Sequence, residues 1–153
     1  MIVLDAIKKL LDANKVSYQC WTHPDCSTSE EGAAIRGTPL MSGAKALIFR
    51  SEGKFLMLVI PGDKEASMTS LKMATRTKSL SLATHEEALQ VTGCTIGSIP
   101  PFGNLFKIPV YVDKTLWRNE TIYFNAGRHD TSIGMSIDDW DQLVQPIRVA
   151  VAR

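Results

Sequence analysis

The most chemically suggestive stretch is TIGSIPPFGN, residues 95–104, where two glycines and two prolines surround Ile96, Ile99 and Phe102. Turn-forming residues at this density end regular structure, while the apolar side chains can hold the loop against a body. The combination describes a stiff loop with something to touch. A second candidate is Lys45 in SGAKALIF, at the entry to an apolar run and beside small Ser42, Gly43 and Ala44. A lysine there either snorkels to the surface or remains as a partly buried cation with room for an anionic ligand. A third is NAGRHDTSI, residues 125–133, which sets Arg128, His129 and Asp130 between two apolar runs. Alone it reads as a charged hairpin turn.

Other chemistries find less support. CWTHPDC spaces Cys20, His23 and Cys26 by three residues, but no second ligand pair follows and Cys20 falls in an alternating apolar run, so zinc is a poor reading. Three cysteines at irregular spacing make no disulfide framework. No GxSxG, HExxH, P-loop or GxGxxG motif is present. His85 sits in the first turn of an expected helix, a solvated position, and His23 precedes Pro24 in a loop. No metal and no cofactor are expected.

These residues must be held by a body of 153 residues with 44% apolar and 22% charged content, ordinary for one globular domain with a real core. Seventeen Lys and Arg against sixteen Asp and Glu leave a formal charge of +1, too little for a protein that coats nucleic acid non-specifically. The N-terminus carries Asp5 early and no long apolar core, and no run approaches a membrane span. A cytoplasmic protein is expected, with no membrane and no DNA among its partners.

The elements follow from periodicity. Leu4, Ile7, Leu10 and Leu11 predict an amphipathic helix over 3–13, and Val16, Tyr18 and Cys20 a strand. Thr28-Ser-Glu-Glu31 and Thr84-His-Glu-Glu87 are capping boxes, opening helices that stop at Gly37 and Gly93. Residues 44–50 and 55–60 form a hairpin about Ser-Glu-Gly-Lys, and 68–74 a short helix. Strands are expected at Val110–Val112, Thr121–Asn125 and Ser132–Met135. Ser136 then caps a last helix ended by Pro146, with Val149 and Val151 as an edge strand. Without a βαβ period, the fold class is α+β: one compact domain, 1–153, with a mixed, largely antiparallel sheet or barrel flanked by short helices.

In order and spacing, LDAIKKLLDANKVSYQ, His23, TSEEGAAIRG, SGAKALIF, the GxxxP loop Gly97-Ser-Ile-Pro-Pro101 and NAGRHDTSIGMS together resemble the YbaK/prolyl-tRNA synthetase-associated domain family of aminoacyl-tRNA deacylases. The resemblance spans nearly the whole chain. It implies that Lys45 is required for hydrolysis near the 3′ end of tRNA. It also implies that Gly97, Ser98, Ile99, Pro100 and Pro101 form a catalytic loop whose backbone holds the ester and a water. Preorganised donors of that kind are worth about 3 kcal/mol each in the transition state. His23, Gly43, Phe102, Gly103, Gly127 and His129 are the expected substrate-binding positions.

Lys72 and Arg76, which share a face if their helix continues, and Lys78 beyond them are candidate tRNA contacts, although a solvated face would look the same. The implied activity is hydrolysis of a mischarged small amino acid (Ala, Ser, Thr or Cys) from tRNA, the TSEEGAAIRG and SGAK stretches leaning towards Ala or Ser/Thr over Cys. The implied partners are mischarged aminoacyl-tRNA and, given the small net charge, a synthetase or elongation factor. The rival reading is a non-catalytic module that binds the tRNA acceptor end or a synthetase.

Overall fold

The computed structural model describes residues 1–153. Helix α1 (Val3–Ala13) buries Val3, Ile7 and Leu11, one residue per turn, with Leu4 and Leu10 packed at the margin. Lys15 then adopts a left-handed φ of +56° and the Val16 N–H returns to the Leu11 carbonyl at 3.0 Å. The chain is therefore still closing the helix at Val16, and β1 runs over Tyr18–Thr22 rather than from Val16.

Both capping boxes form. Thr28 accepts from the Glu31 N–H at 3.1 Å while Glu31 accepts from the Thr28 N–H at 3.2 Å, opening α2 (Ser29–Arg36); Gly37 ends it at φ +68°. Thr84 and Glu87 repeat the pattern at the start of α4 (His85–Thr92). Helix α3 (Met68–Thr75) is closed by Arg76 in the left-handed region. That corrects the expectation of a shared Lys72–Arg76 face, because Arg76 has left the helical register.

The strands form two sheets. In the smaller, β1, β7 (Thr131–Ser136) and β6 (Thr121–Asn125) lie in the antiparallel order β1-β7-β6. The larger runs β4-β2-β3-β5-β8, with β2 (Ala44–Ser51), β3 (Lys54–Pro61), β4 (Ser81–Leu82), β5 (Val110–Asp113) and β8 (Ile147–Val149). Strand β2 is antiparallel to β3 and β4, while β3–β5 and β5–β8 are parallel. Helix α5 (Ile137–Val144) sits between β7 and the edge strand β8.

Strand β3 shows why the larger sheet is central. Met57 and Val59 enter the main core, with Ile7, Phe102, Phe124 and Trp140, while Leu56, Leu58 and Ile60 enter a second core with Phe49 and Leu71. Period-two alternation therefore feeds a hydrophobic layer on each face, which explains the unbroken apolar run FLMLVIP. The two sheets meet at a single parallel bridge between Gly43 and Tyr123. This seam brings the start of β2 beside the middle of β6, and the candidate site opens there. No helix is long and apolar enough to cross a membrane.

Candidate active site

At the seam lies a cavity of about 300 Å³, at the small end of the range for ligand sites. Three segments build most of its wall: residues 27–30 at the start of α2, residues 43–47 entering β2, and Tyr123–Asn125 of β6. Ile96, Gly97 and Ile99 of the loop complete it, with Arg36 from the end of α2. Of the expected catalytic positions, Lys45, Gly97 and Ile99 line this cavity, as does Gly43 among the expected substrate-binding ones.

Lys45 is paired across the hairpin with Ile60. Its ammonium donates to the Lys64 carbonyl at 3.0 Å. The side chain is thus aimed by a neutral acceptor, and no carboxylate holds it. An ammonium has three N–H donors, so two remain for a ligand.

The loop is stiff because its carbonyls are spoken for. Asn125 Nδ2 donates to the Gly97 carbonyl at 2.9 Å, the Gly127 N–H to that of Ser98 at 2.9 Å, and Trp140 Nε1 to that of Pro101 at 2.8 Å. The Pro100 carbonyl accepts from the Phe102 N–H at 2.8 Å. The N–H groups of Gly97 and Ile99, by contrast, donate to no protein acceptor. Gly97 has φ +95°, and a Cβ there would lie 2.7 Å from the Ser27 carbonyl oxygen. Both backbone conformation and space therefore require glycine.

Several expected site residues stand behind the wall. Ser98 is buried and its hydroxyl donates to the Thr95 carbonyl at 2.8 Å; Pro100 and Pro101 are buried as well. These three shape the loop from inside and do not face the cavity. Phe102 is fully buried and packs on Phe124, a wall residue, with ring centroids 5.6 Å apart. Gly103 is buried where a Cβ would lie 2.5 Å from Val110 Cγ2. Gly127, at φ +87°, presses against Val3. Phe102, Gly103 and Gly127 are not among the residues that line this cavity.

The histidines His23 and His129 do not line the cavity either. His129 Nε2 bonds Thr95 Oγ1 at 2.6 Å, and its Nδ1 lies 3.2 Å from both Ser27 Oγ and the Cys26 carbonyl. The ring clasps the loop to the segment before α2, outside the cavity wall. His23 lies outside it too, Nδ1 donating to the Pro24 carbonyl at 2.7 Å and Nε2 facing Ser132 Oγ at 2.7 Å. Lys72, Arg76 and Lys78 are not part of the cavity.

The structure adds two residues that sequence reasoning missed, Asn125 and Arg36. Asn125 is buried and donates to both the Gly97 and the Cys26 carbonyls. Its Oδ1 accepts from Arg36 Nη2 and from Ser132 Oγ, each at 3.3 Å. Arg36 Nε donates in turn to Ser132 Oγ at 2.9 Å. Burial lowers the Arg36 pKa, the neighbouring Cys26 sulfur working the other way. A polar network thus runs from His23 through Ser132, Arg36 and Asn125 to the backbone of the loop. The only sequence signal for it was the NAG turn that contains Asn125.

Chemically, the cavity is lined by Lys45 and by two residues, Gly97 and Ile99, whose N–H groups have no protein acceptor, groups of the kind that can hold an ester and stabilise an oxyanion. Residues 23–143 match the sequence profile of the aminoacyl-tRNA editing domain. The chain is 32% identical over 142 residues to the multifunctional Ser/Thr-tRNA deacylase ProXp-y of Escherichia coli (strain K12), covering 90% of this chain and 85% of that protein. It is 33% identical over 128 residues to the proline–tRNA ligase of Thermotoga neapolitana, covering 78% of this chain but 22% of the ligase. Its fold matches the crystal structure of a candidate trans-editing enzyme for prolyl-tRNA synthetase with a TM-score of 0.88 at 19% identity, over 100% of this chain and 98% of the other. Sequence and fold agree, and the chain belongs to the aminoacyl-tRNA editing domain family, a class of hydrolases that are aminoacyl-tRNA deacylases.

Proposed function

We propose that this protein acts in trans to hydrolyse serine or threonine from tRNA that has been charged with the wrong amino acid. The observation that supports the chemistry is that Lys45, Gly97 and Ile99 line one cavity and that the Gly97 and Ile99 N–H groups have no acceptor within the protein. The Ser/Thr activity of the relative that shares 32% identity supports the choice of acyl group. The cytoplasm, where tRNA is charged, is the compartment this reading requires.

Hydrolysis of an activated ester needs little beyond placement. Water adds to the acyl carbon, the carbonyl oxygen takes up negative charge, and the ribose 3′-oxygen leaves with a proton, giving free amino acid and intact tRNA. The Gly97 and Ile99 N–H groups are the donors for the developing oxyanion, each worth about 3 kcal/mol if well aimed. The Lys45 ammonium, already held by the Lys64 carbonyl, meets a phosphate or carbonyl oxygen at the 3′ end and fixes the ester against the loop. Adjacent ribose hydroxyl and water carry the proton.

A net charge of +1 supplies little long-range attraction for tRNA. Delivery of substrate by a synthetase or elongation factor fits that balance, with Lys72, Arg76 and Lys78 as dispersed contacts. The test is release of labelled amino acid from a panel of tRNAs charged with Ala, Ser, Thr, Cys and Pro. Rapid release of Ser and Thr with Pro retained is the expected result. Binding of acceptor-end tRNA with no release from any member would replace the enzyme by a binding module.

A further inference from the structure

Arg36 is a cation of the cavity wall that the proposed hydrolysis does not use. As the last residue of α2 it looks, in sequence, like a charge placed to complement the helix dipole. Its guanidinium turns inward instead, onto Ser132 and Asn125, which are 0% and 8% exposed. Both partners are neutral. The five ion pairs of the molecule belong to Arg50, Arg118, Arg128, Arg148 and Arg153. Nη1 makes no hydrogen bond within the protein, and a guanidinium has five N–H groups. A half-buried cation with spare donors lines the cavity.

Exposure shows which part of a substrate could reach it. Ser27, Thr28, Glu30 and Ile96 are exposed and form the mouth, whereas Ile99 and Asn125 are buried and form the floor. Arg36 bonds the floor. Phosphates of a tRNA must stay at the mouth, because the polynucleotide attached to them cannot follow into so small a space. The α-ammonium of the amino acid is repelled by Arg36 and Lys45 and is matched by Glu30 at the mouth. What remains free to reach the floor is the amino-acid side chain. We infer that Arg36 is a specificity-determining residue that donates a hydrogen bond to the side-chain hydroxyl of serine or threonine esterified to tRNA. A hydroxyl oxygen has lone pairs to accept it. A methyl group in the same place leaves those donors without an acceptor, and sites built around a hydroxyl discriminate strongly against analogues that lack it.

The inference rests on the deacylase reading and adds how that site selects its acyl group. The experiment compares single-turnover hydrolysis of seryl-tRNA and 2-aminobutyryl-tRNA, which carries a methyl in place of the hydroxyl. Wild type, Arg36→Lys and Arg36→Met are used, with each fold checked by circular dichroism. Wild type should favour the seryl ester by about tenfold or more. Arg36→Met should lose that preference by slowing the seryl ester selectively, and Arg36→Lys should retain part of it. Equal slowing of both esters in Arg36→Met would assign the residue to a contact common to all substrates and overturn the inference. So would a wild-type protein without preference, which needs no folded variant to observe. A wild type inert towards both esters and the wider panel removes the deacylase reading, and this proposal with it.

Discussion

Replacing Asn125 with leucine deletes the hydrogen bonds that fix the Gly97 and Cys26 carbonyls, at 2.9 and 3.0 Å, while roughly preserving side-chain volume. Arg36 Nη2 also loses its acceptor. With the Ser132 hydroxyl, which also bonds Asn125 Oδ1, four polar groups lose a partner, at a cost of about 1 kcal/mol each or about 4 kcal/mol in all. The effect on turnover should exceed what that destabilisation implies. Gly97 would no longer be held against Ser27, and misplacement of the reacting groups by about an ångström costs about a hundredfold in rate. Ile7→Ala supplies the control: Ile7 is fully buried on α1, away from the cavity, and its truncation costs about 2–5 kcal/mol. Urea unfolding and single-turnover deacylation, measured well below the melting temperature of either variant, should show similar losses of stability but a rate loss confined to Asn125→Leu. Asn125→Asp sharpens the comparison, since a carboxylate can pair with Arg36 and recover stability but has no N–H for the Gly97 carbonyl. A folded Asn125→Leu variant that turns over within a few-fold of wild type would refute the idea that this side chain positions the loop.

Lys45→Ala should abolish turnover while weakening tRNA binding little, because affinity draws on several dispersed cations; Lys45→Arg should rescue poorly, since a planar fork does not replace a compact ammonium held at 3.0 Å from the Lys64 carbonyl. Near-normal single-turnover rates in Lys45→Ala would take the residue out of the mechanism. Gly97→Ala should already impair turnover, given φ +95° and a Cβ only 2.7 Å from the Ser27 oxygen, and Gly97→Val more so. Pro101→Ala should act mildly through loop entropy, at about 0.4–1 kcal/mol of stability in thermal melts. Asp113 is buried, which by itself opposes its ionisation, yet bonds from Thr115 and from the Val151 and Ala152 N–H groups prevail and lower its pKa. A folded-state pKa below the unfolded one stabilises the protein above about pH 4, and this contribution is lost as the pH falls through the folded value. Asp113→Asn should therefore lose stability at pH 7 and approach wild type below pH 4, and an equal deficit at both pH values would count against the linkage.

Local features were legible in the sequence because their physics is local. The capping boxes at Thr28 and Thr84 close over three residues, and Gly37 and Gly93 end helices through their own backbone freedom. The hairpin of β2 and β3 is set by adjacent apolar runs and the turn between them, and the stiffness of residues 95–104 by the backbone limits of glycine and proline. What joins these pieces was not legible. The parallel pairing of β3 with β5 spans some fifty residues, and a parallel register leaves no tight-turn signal between its partners. Nor does the sequence show that His129 bonds Thr95 or that Phe102 packs on Phe124, contacts that only the fold makes. Arg36 and Asn125 are 89 residues apart and became partners only when α2 docked against β6 and β7. The sequence by itself determined the elements, the loop's rigidity and the family resemblance. The tertiary structure alone decided which polar groups face the cavity, because a hydrogen bond between distant residues depends on the packing that brings them together and leaves no periodic trace in either segment.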